Sequence, residues 1–292
     1  MTLKTRTHGL LIYQEADIAR NQRFITLLFE SAENWGLQLT LTTIEELTLQ
    51  LANSEPSAPI RTANLPPASF IINRSVSPWL NEIAELQGIC VFNTSFVSRI
   101  ANDKRLTHTF FYNKDIPMLE TAAVRKNSLS NEQPFPYPYI VKDPYGRGGT
   151  GINLIRSKEE LENVLPKLTK ELLVQPVSGM PGKDLRVYIV GNKIVGSVLR
   201  QSTSEDIRAN ISTGGASSLY HLSASERSLV EKMISGLQLD FVGIDFLFDE
   251  EGELLFNEME DAVGCRSLYM NSDINIADNF MKHISATLKT KG

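Results

Sequence analysis

The chain has 292 residues, 42% of them hydrophobic, and 29 Lys and Arg against 34 Asp and Glu give it a formal net charge of -5. That length suits two or three packed lobes, and the acidic balance leaves no basic surface for a phosphate backbone, so nucleic acid is not an expected partner. The apolar run at residues 10–13 is too short for a signal-peptide core and no stretch approaches a bilayer span, so a cytoplasmic protein with no membrane partner is expected.

Residues 10–13 read as a buried strand and residues 16–35 as a helix closed by Gly36. Strands follow at 38–44, 70–73 and 89–93, with helices expected at 45–51 and 77–87. Together they predict a small open parallel α/β domain over residues 1–93. The Pro-, Ser- and Ala-rich residues 54–67 read as a surface loop. One long helix is expected over 94–112, broken by Ile116-Pro117, and strands at 120–124 and 139–142 come next. A helix at 158–168 has capping-box spacing at Ser157 and Glu160, and a strand at 172–177 ends a central lobe, residues 94–176. Two hairpins are expected in a C-terminal lobe, residues 177–292. One spans 185–199 around Gly191-Asn192, the other 241–258 around the turn 249–252. A helix at 225–237, with a capping box at Ser223 and Glu226, separates them, and a last helix covers 276–288. The fold class is α/β (α+β). Cys90 and Cys265 stand far apart, outside any CxxC pair, and are expected as reduced thiols.

Three groups of residues carry chemistry. The loop DPYGRGGTG, residues 143–151, has four glycines that let backbone N–H groups approach one anion, with Gly146, Arg147, Gly148 and Gly149 at its centre. It lacks the GK[ST] of a Walker loop and does not open a helix. A mobile hairpin connection is its plainer reading. The last hairpin carries an acidic row. If Phe248 faces Glu253 across the turn, then Gly243 faces Glu258, and Asp245 and Glu258 share a face as diagonal neighbours about 7 Å apart. Glu260 extends the row. Three carboxylates among Phe246, Phe248 and Phe256 repel one another, so a divalent cation, best magnesium, is expected between them; a solvent-facing acidic strand is the alternative. The third group is cationic: Lys104, Lys142 before the glycine loop, then Arg186, Arg200 and Arg208. These suit the counter-charges of a triphosphate, although single cations are more often solvated.

In this order the parts resemble the ATP-grasp superfamily, within it the branch of ribosomal-protein glutamate ligases and related amino-acid ligases, over about two thirds of the chain. NTSFVSRIANDKRLTHTFF is similar to the helix entering that fold, YIVKDPYGRGGTGI to its second nucleotide lysine and flexible loop, and VGIDFLFDEEGELLFNEME to its metal hairpin. The resemblance implies ATP and magnesium, two ions with manganese an alternative, held by Asp245, Glu258 and Glu260. It implies Lys104 and Lys142 on phosphates, Gln175 and Val177 at adenine, Asp184 near the nucleotide, and Arg186, Arg200 and Arg208 near the transferred phosphate or substrate. Arg208 and Asn210 fall in a polar segment, residues 200–218, expected to order on binding a substrate. Arg266 has two readings, a bidentate hold on a substrate carboxylate or a surface ion pair. Glu260 stands where this family commonly has asparagine, and Pro176 where the hinge often has an acidic residue.

The activity so implied is ATP-dependent ligation of a carboxylate to an amine through an acyl phosphate. Its partners would be small molecules or a peptide or protein tail, and a homo-oligomer is expected by analogy. An ATP-binding regulatory or assembly subunit is the alternative from another class, and phosphoryl transfer to a stable acceptor a second enzymatic one. His8, His108, His221 and His283 form no recognisable triad or metal motif, and no GxSxG elbow is present.

Overall fold

A computed structural model of the chain describes residues 6–49, 60–61, 67–178, 180, 182–202 and 215–291. Leu10, Leu11, Ile12 and Tyr13 fill β1 (Thr7–Tyr13) with side chains buried on both faces, as a parallel strand covered by helices on both sides requires. β1 pairs in parallel with β2 (Leu37–Thr43). Residues 45–49 do not form the expected helix, and the rest of that segment, 50–51, lies outside the described residues. Thr43 and Glu46 close a single 3-10 turn, Ile44–Glu46, and the chain continues as a short ribbon of β3 (Thr48–Leu49) and β4 (Ile60–Arg61). β5 (Phe70–Asn73) and β6 (Cys90–Phe92) complete a parallel sheet in the order β2-β1-β5-β6. Helix α1 (Glu15–Asn34) covers one face with Ile25, Leu28 and Ala32, and α2 (Pro78–Leu86) covers the other with Leu80 and Ala84.

The helix expected over 94–112 is two helices, α3 (Ser95–Ala101) and α4 (Lys104–Tyr112). Asn102 turns its side-chain amide back to the Ser98 carbonyl at 2.8 Å. The carboxylate of Asp103 then accepts from the Arg105 N–H at 3.0 Å and starts a new helix. Lys104 thereby becomes the first residue of α4, at its N-terminal end.

β7 (Ala122–Arg125), β8 (Tyr139–Lys142), β9 (Ile152–Ile155) and β10 (Glu171–Pro176) form an antiparallel sheet in the order β7-β10-β8-β9. The short α5 (Lys126–Leu129) and α6 (Lys158–Val164) cover it. α6 ends before Leu168 because Pro166 supports only a 3-10 turn, Leu165–Lys167. Its capping box is half made: Ser157 accepts from the Glu160 N–H, but the Glu160 carboxylate accepts from the N–H of Arg156 rather than Ser157.

The third sheet is antiparallel, in the order β13-β12-β11-β14-β15, from β11 (Lys183–Val190), β12 (Lys193–Gln201), β13 (Ala216–Leu219), β14 (Phe241–Phe248) and β15 (Leu254–Glu260). Gly191 and Asn192, with φ of 56° and 58°, make the two-residue turn between β11 and β12. α7 (Ala224–Ile234) has the complete capping box of Ser223 and Glu226, and α8 (Arg266–Asn271) and α9 (Ile276–Lys291) follow. The main core joins α1 and the first sheet to Tyr188, Val190, Phe241 and the inner face of α9. Around the second sheet, by contrast, residues 122–174 pack a core of their own. No described helix is long and apolar enough to cross a membrane, and both cysteines are free thiols.

Candidate active site

The acidic row sits on β14 and β15, in a register one step from the expected one. Asp249 N–H donates to Glu253 O at 3.0 Å and Glu253 N–H to Asp249 Oδ1 at 2.7 Å, so the turn closes there and Phe248 pairs with Leu254 rather than Glu253. Carried along both strands, that slip would set Asn257 opposite Asp245 and send Glu258 to the other face. A bulge absorbs it. Phe246 pairs with Phe256, then Asp245 with Glu258 and Gly243 with Glu260, leaving Asn257 as the extra residue. Asp245 and Glu258 are thus direct rather than diagonal neighbours, and ligand oxygens of Asp245, Glu258 and Glu260 all lie within 4.8 Å of one another.

Cations from four other elements frame these carboxylates. Arg186, opposite Asp245 on β11, donates through Nε and Nη2 to both Asp245 oxygens at 2.7 and 2.6 Å, and its Nη2 is 3.0 Å from Glu260. Arg200 forks onto Asp184 at 2.6 and 2.7 Å and reaches Asp245 at 2.8 Å. Lys104 lies 2.9 Å from Glu258, and Lys142 donates to Oδ1 of the bulged Asn257 at 3.1 Å. Gly243 lets Val263 pack against β14, since a β-carbon there would meet it at 2.4 Å.

Burial alone would raise every one of these carboxyls. The charges of Arg186 and Arg200 overcome it at Asp245, held down to about 2, and Lys104 overcomes it at Glu258, which is also lowered. At Glu260 burial outweighs Arg186 and the carboxyl rises; at Asp184 it outweighs Arg200, to about 6. Burial lowers Lys142 to about 8 against the pull of Glu258. Three converging carboxylates are a hard-oxygen donor set of the kind magnesium or manganese takes. An ion held there would share oxygens that Arg186 and Lys104 now contact.

The glycine loop connects β8 to β9, with Gly148, Gly149 and Gly151 at φ of 58°, 81° and 72°. Its amides are engaged within the loop: Tyr145 N–H donates to Asp143 Oδ1, Gly146 N–H to Asp143 O, Arg147 N–H to Thr150 Oγ1 and Thr150 N–H to Arg147 O. In this conformation those four are not turned outward to an anion, as the sequence reading expects of the loop. The Arg147 side chain instead leaves the loop and pairs with Asp261 at 3.1 Å. Asp261 also accepts from Ser98 Oγ at 2.7 Å and Asn102 Nδ2 at 3.0 Å, and Lys104 Nζ donates to Gly146 O. The loop is therefore tied down over the acidic row.

Gln175 is 1% exposed. Its amide donates to Thr121 Oγ1 at 2.8 Å and meets His108 Nε2 at 3.2 Å. Because His108 Nδ1 faces the Lys104 carbonyl at 2.8 Å, that nitrogen carries the proton and Nε2 accepts from Gln175. The Gln175 amide nitrogen is thus occupied by α4 and Thr121 while its Oε1 is buried without a partner, and Val177 beyond it is exposed. Arg208 and Asn210 lie outside the described residues. Arg266 lines a cleft of about 320 Å³ that runs from Glu260, Arg186 and Arg200 to Tyr13 and Arg74 of the first sheet. Arg266 has no acidic partner among the described residues. Asn257, Asp261, His108 and Arg74 escape a motif reading. Asp261 directly follows the acidic row, which is a usable signal; Arg74 is brought in by tertiary packing alone.

A RimK-like ATP-grasp domain matches residues 101–284. MG011, an uncharacterised protein of Mycoplasma genitalium, is 26% identical over 291 residues, covering 98% of this chain and 95% of that protein. The glutamate–LysW ligase ArgX of Sulfurisphaera tokodaii is 26% identical over 211 residues, 69% of this chain and 75% of that protein. Among solved structures, the RimK domain ATP-grasp protein of Sphaerobacter thermophilus aligns with a TM-score of 0.72 at 17% identity, over 94% of this chain and 98% of its own. The chain has the ATP-grasp fold and belongs to the RimK-like ATP-grasp domain family.

Proposed function

We propose that this protein is an ADP-forming carboxylate–amine ligase: ATP phosphorylates a substrate carboxylate, and an amine displaces phosphate from the acyl phosphate to form an amide or peptide bond. One observation carries the proposal. Asp245, Glu258 and Glu260 converge within 4.8 Å beneath a glycine loop, framed by Arg186, Arg200 and Lys104, which is the equipment for managing charge on a moving phosphoryl group. Magnesium, held by those three carboxylates, would neutralise phosphate charge.

The chain's own groups do the rest. Arg186 and Arg200, fixed by Asp245 and Asp184, present guanidinium N–H groups to the cleft that takes the carboxylate. Lys104 and Lys142 meet the phosphates, and Gln175, Val177 and Asp184 border the nucleotide. Gly146, Arg147, Gly148 and Gly149 close over the reacting groups and keep out water, which would hydrolyse the acyl phosphate. The attacking amine is the nucleophile, so no side chain needs to be acylated. Residues 1–93, 94–176 and 177–292 are the working units of this reading, with Arg208, Asn210 and Arg266 at the acceptor. The name of ArgX, a glutamate–LysW ligase, supports an amino acid as one substrate and leaves a small molecule, a peptide or a protein tail as the other.

Hydroxylamine trapping tests the chemistry. With Mg-ATP and the cognate carboxylate, the protein should yield a hydroxamate, whereas Glu258→Gln should make at least about 10²-fold less while keeping its melting temperature. Near-normal hydroxamate from the folded variant would remove the assigned metal site.

A further inference from the structure

We infer that Arg74, with Tyr13, anchors a substrate carboxylate other than the one that is activated. The inference rests on the ligase reading only in calling the ligand a substrate. Tyr13 ends β1 and Arg74 directly follows β5, its N–H donating to Ile12 O at 2.8 Å. The two therefore stand together at the carboxyl edge of adjacent parallel strands, where open α/β sheets take their ligands.

Arg74 is 4% exposed and Tyr13 2%. The guanidinium lies 5.7, 5.0 and 5.5 Å from the ring centres of Tyr13, Phe24 and Phe241, and Nη2 donates to Val263 O at 2.7 Å. Yet Arg74 Nε and Tyr13 Oη are both buried without a well-formed hydrogen bond, although the Tyr13 hydroxyl lies beside the Arg74 guanidinium, and Arg74 has no acidic partner among the described residues. Clamping the first sheet onto the segment after β15 accounts for Nη2 and the rings. It does not supply a counter-charge for Arg74, which lines the cleft together with Tyr13. A buried cation without a counter-charge is costly, and aromatic faces offset only part of that. An anion supplies what is missing: a carboxylate accepts from Arg74 and from the Tyr13 hydroxyl at once.

Arginines outnumber the carboxylates along the cleft, which are Asp17, paired with Arg20 at 3.0 Å, and Glu260. Arg23 and Arg266 line it and likewise have no acidic partner among the described residues. Arg74 and Arg186 donate to the carbonyls of consecutive residues, Val263 and Gly264, which sets the two guanidiniums within roughly 10 Å of each other. A compact substrate with two carboxylates spans that gap, one end at Arg74 and the other beside Arg186 and Glu260.

Calorimetric titration of the full chain with glutarate and with its monoamide, glutaramate, isolates the second charge at constant length. The wild-type protein should bind glutarate about 10-fold more tightly or better. Arg74→Gln should abolish that ratio and Tyr13→Phe should reduce it about 3-fold, with ATP affinity unchanged in both. Equal affinities in the wild type, or a folded Arg74→Gln that keeps the preference, would overturn the assignment. Should Arg74→Gln not fold, Tyr13→Phe, which keeps the ring against Arg74, decides by the same ratio. A protein with this preference that never releases ADP would keep the subsite and lose the ligase reading; an active ligase indifferent to both substitutions would do the reverse.

Discussion

His108 is held as a neutral ring. Burial, and then the charge of Lys142, bring its pKa from 6.5 down to about 4, while its two nitrogens are fixed by Lys104 O and the Gln175 amide. Between those values an unfolded histidine takes up a proton that the folded one refuses. The contribution of His108 is therefore fully present above about pH 6.5 and is lost as pH falls toward 4, by about 2 kcal/mol at pH 5. Urea unfolding at pH 7.5 and pH 5 checks this. The stability of His108→Gln should fall less between the two than that of the wild type, by about that amount, and an identical fall would assign the acid sensitivity elsewhere. The ring lies tilted against Phe256, with centres 5.3 Å apart, so histidine here links the strand that carries the acidic row to the helix that carries Lys104. Nothing in the spacing of the four histidines marks it out, because Gln175 and Phe256 lie on other elements.

At the scale of elements, the last hairpin shows what strand alternation can and cannot foresee. Period-two reading brings Asp245, Glu258 and Glu260 to one face, and the structure gathers them. It does so by a different register, since the Asp249 turn adds a residue and the bulge at Asn257 removes the slip. Two offsetting irregularities leave the outcome nearly as expected from a regular ladder. Deleting Asn257 should therefore give an unbulged ladder in which Glu258 still faces Asp245 and Glu260 still faces Gly243, so ADP formation should stay within about 10-fold of the parent, with far-ultraviolet circular dichroism close to the parent. Loss of activity in a folded deletion variant would show that the row needs the bulge itself and not only this pairing. The division of residues 94–112 into α3 and α4 is legible only in retrospect, from Asn102 and Asp103, two residues that cap better than they continue a helix. Their effect is to put Lys104 at a helix start facing Glu258.

Across the whole molecule, the three sheets follow from strand periodicity and turn chemistry, while the way they share cores does not. The first and third sheets are welded through α1 and α9, where Trp35 Nε1 donates to Asp278 at 2.8 Å. The second sheet keeps its own apolar core. It meets the rest at the site through polar contacts: Lys142 to Asn257, Arg147 to Asp261, Gln175 to His108 and Arg105 to Glu171. Such contacts can break and re-form at lower cost than a shared core, so a nucleotide entering beneath the glycine loop would displace this sheet rather than the other two. The cationic surplus of the cleft belongs to the same scale, because Arg74 comes from the first sheet, Arg186 and Arg200 from the third, and Arg147 from the loop of the second. No local pattern announces a pocket assembled from three sheets.

The most direct test is to incubate the protein with Mg-ATP and pools of amino acids, short dicarboxylates and acidic peptides, following ADP release and product masses together. Ligation predicts ADP that depends on both a carboxylate and an amine, with a new mass equal to the two components less one water. ATP binding with no substrate-dependent ADP, or a stable phosphorylated product without an amide, would contradict it.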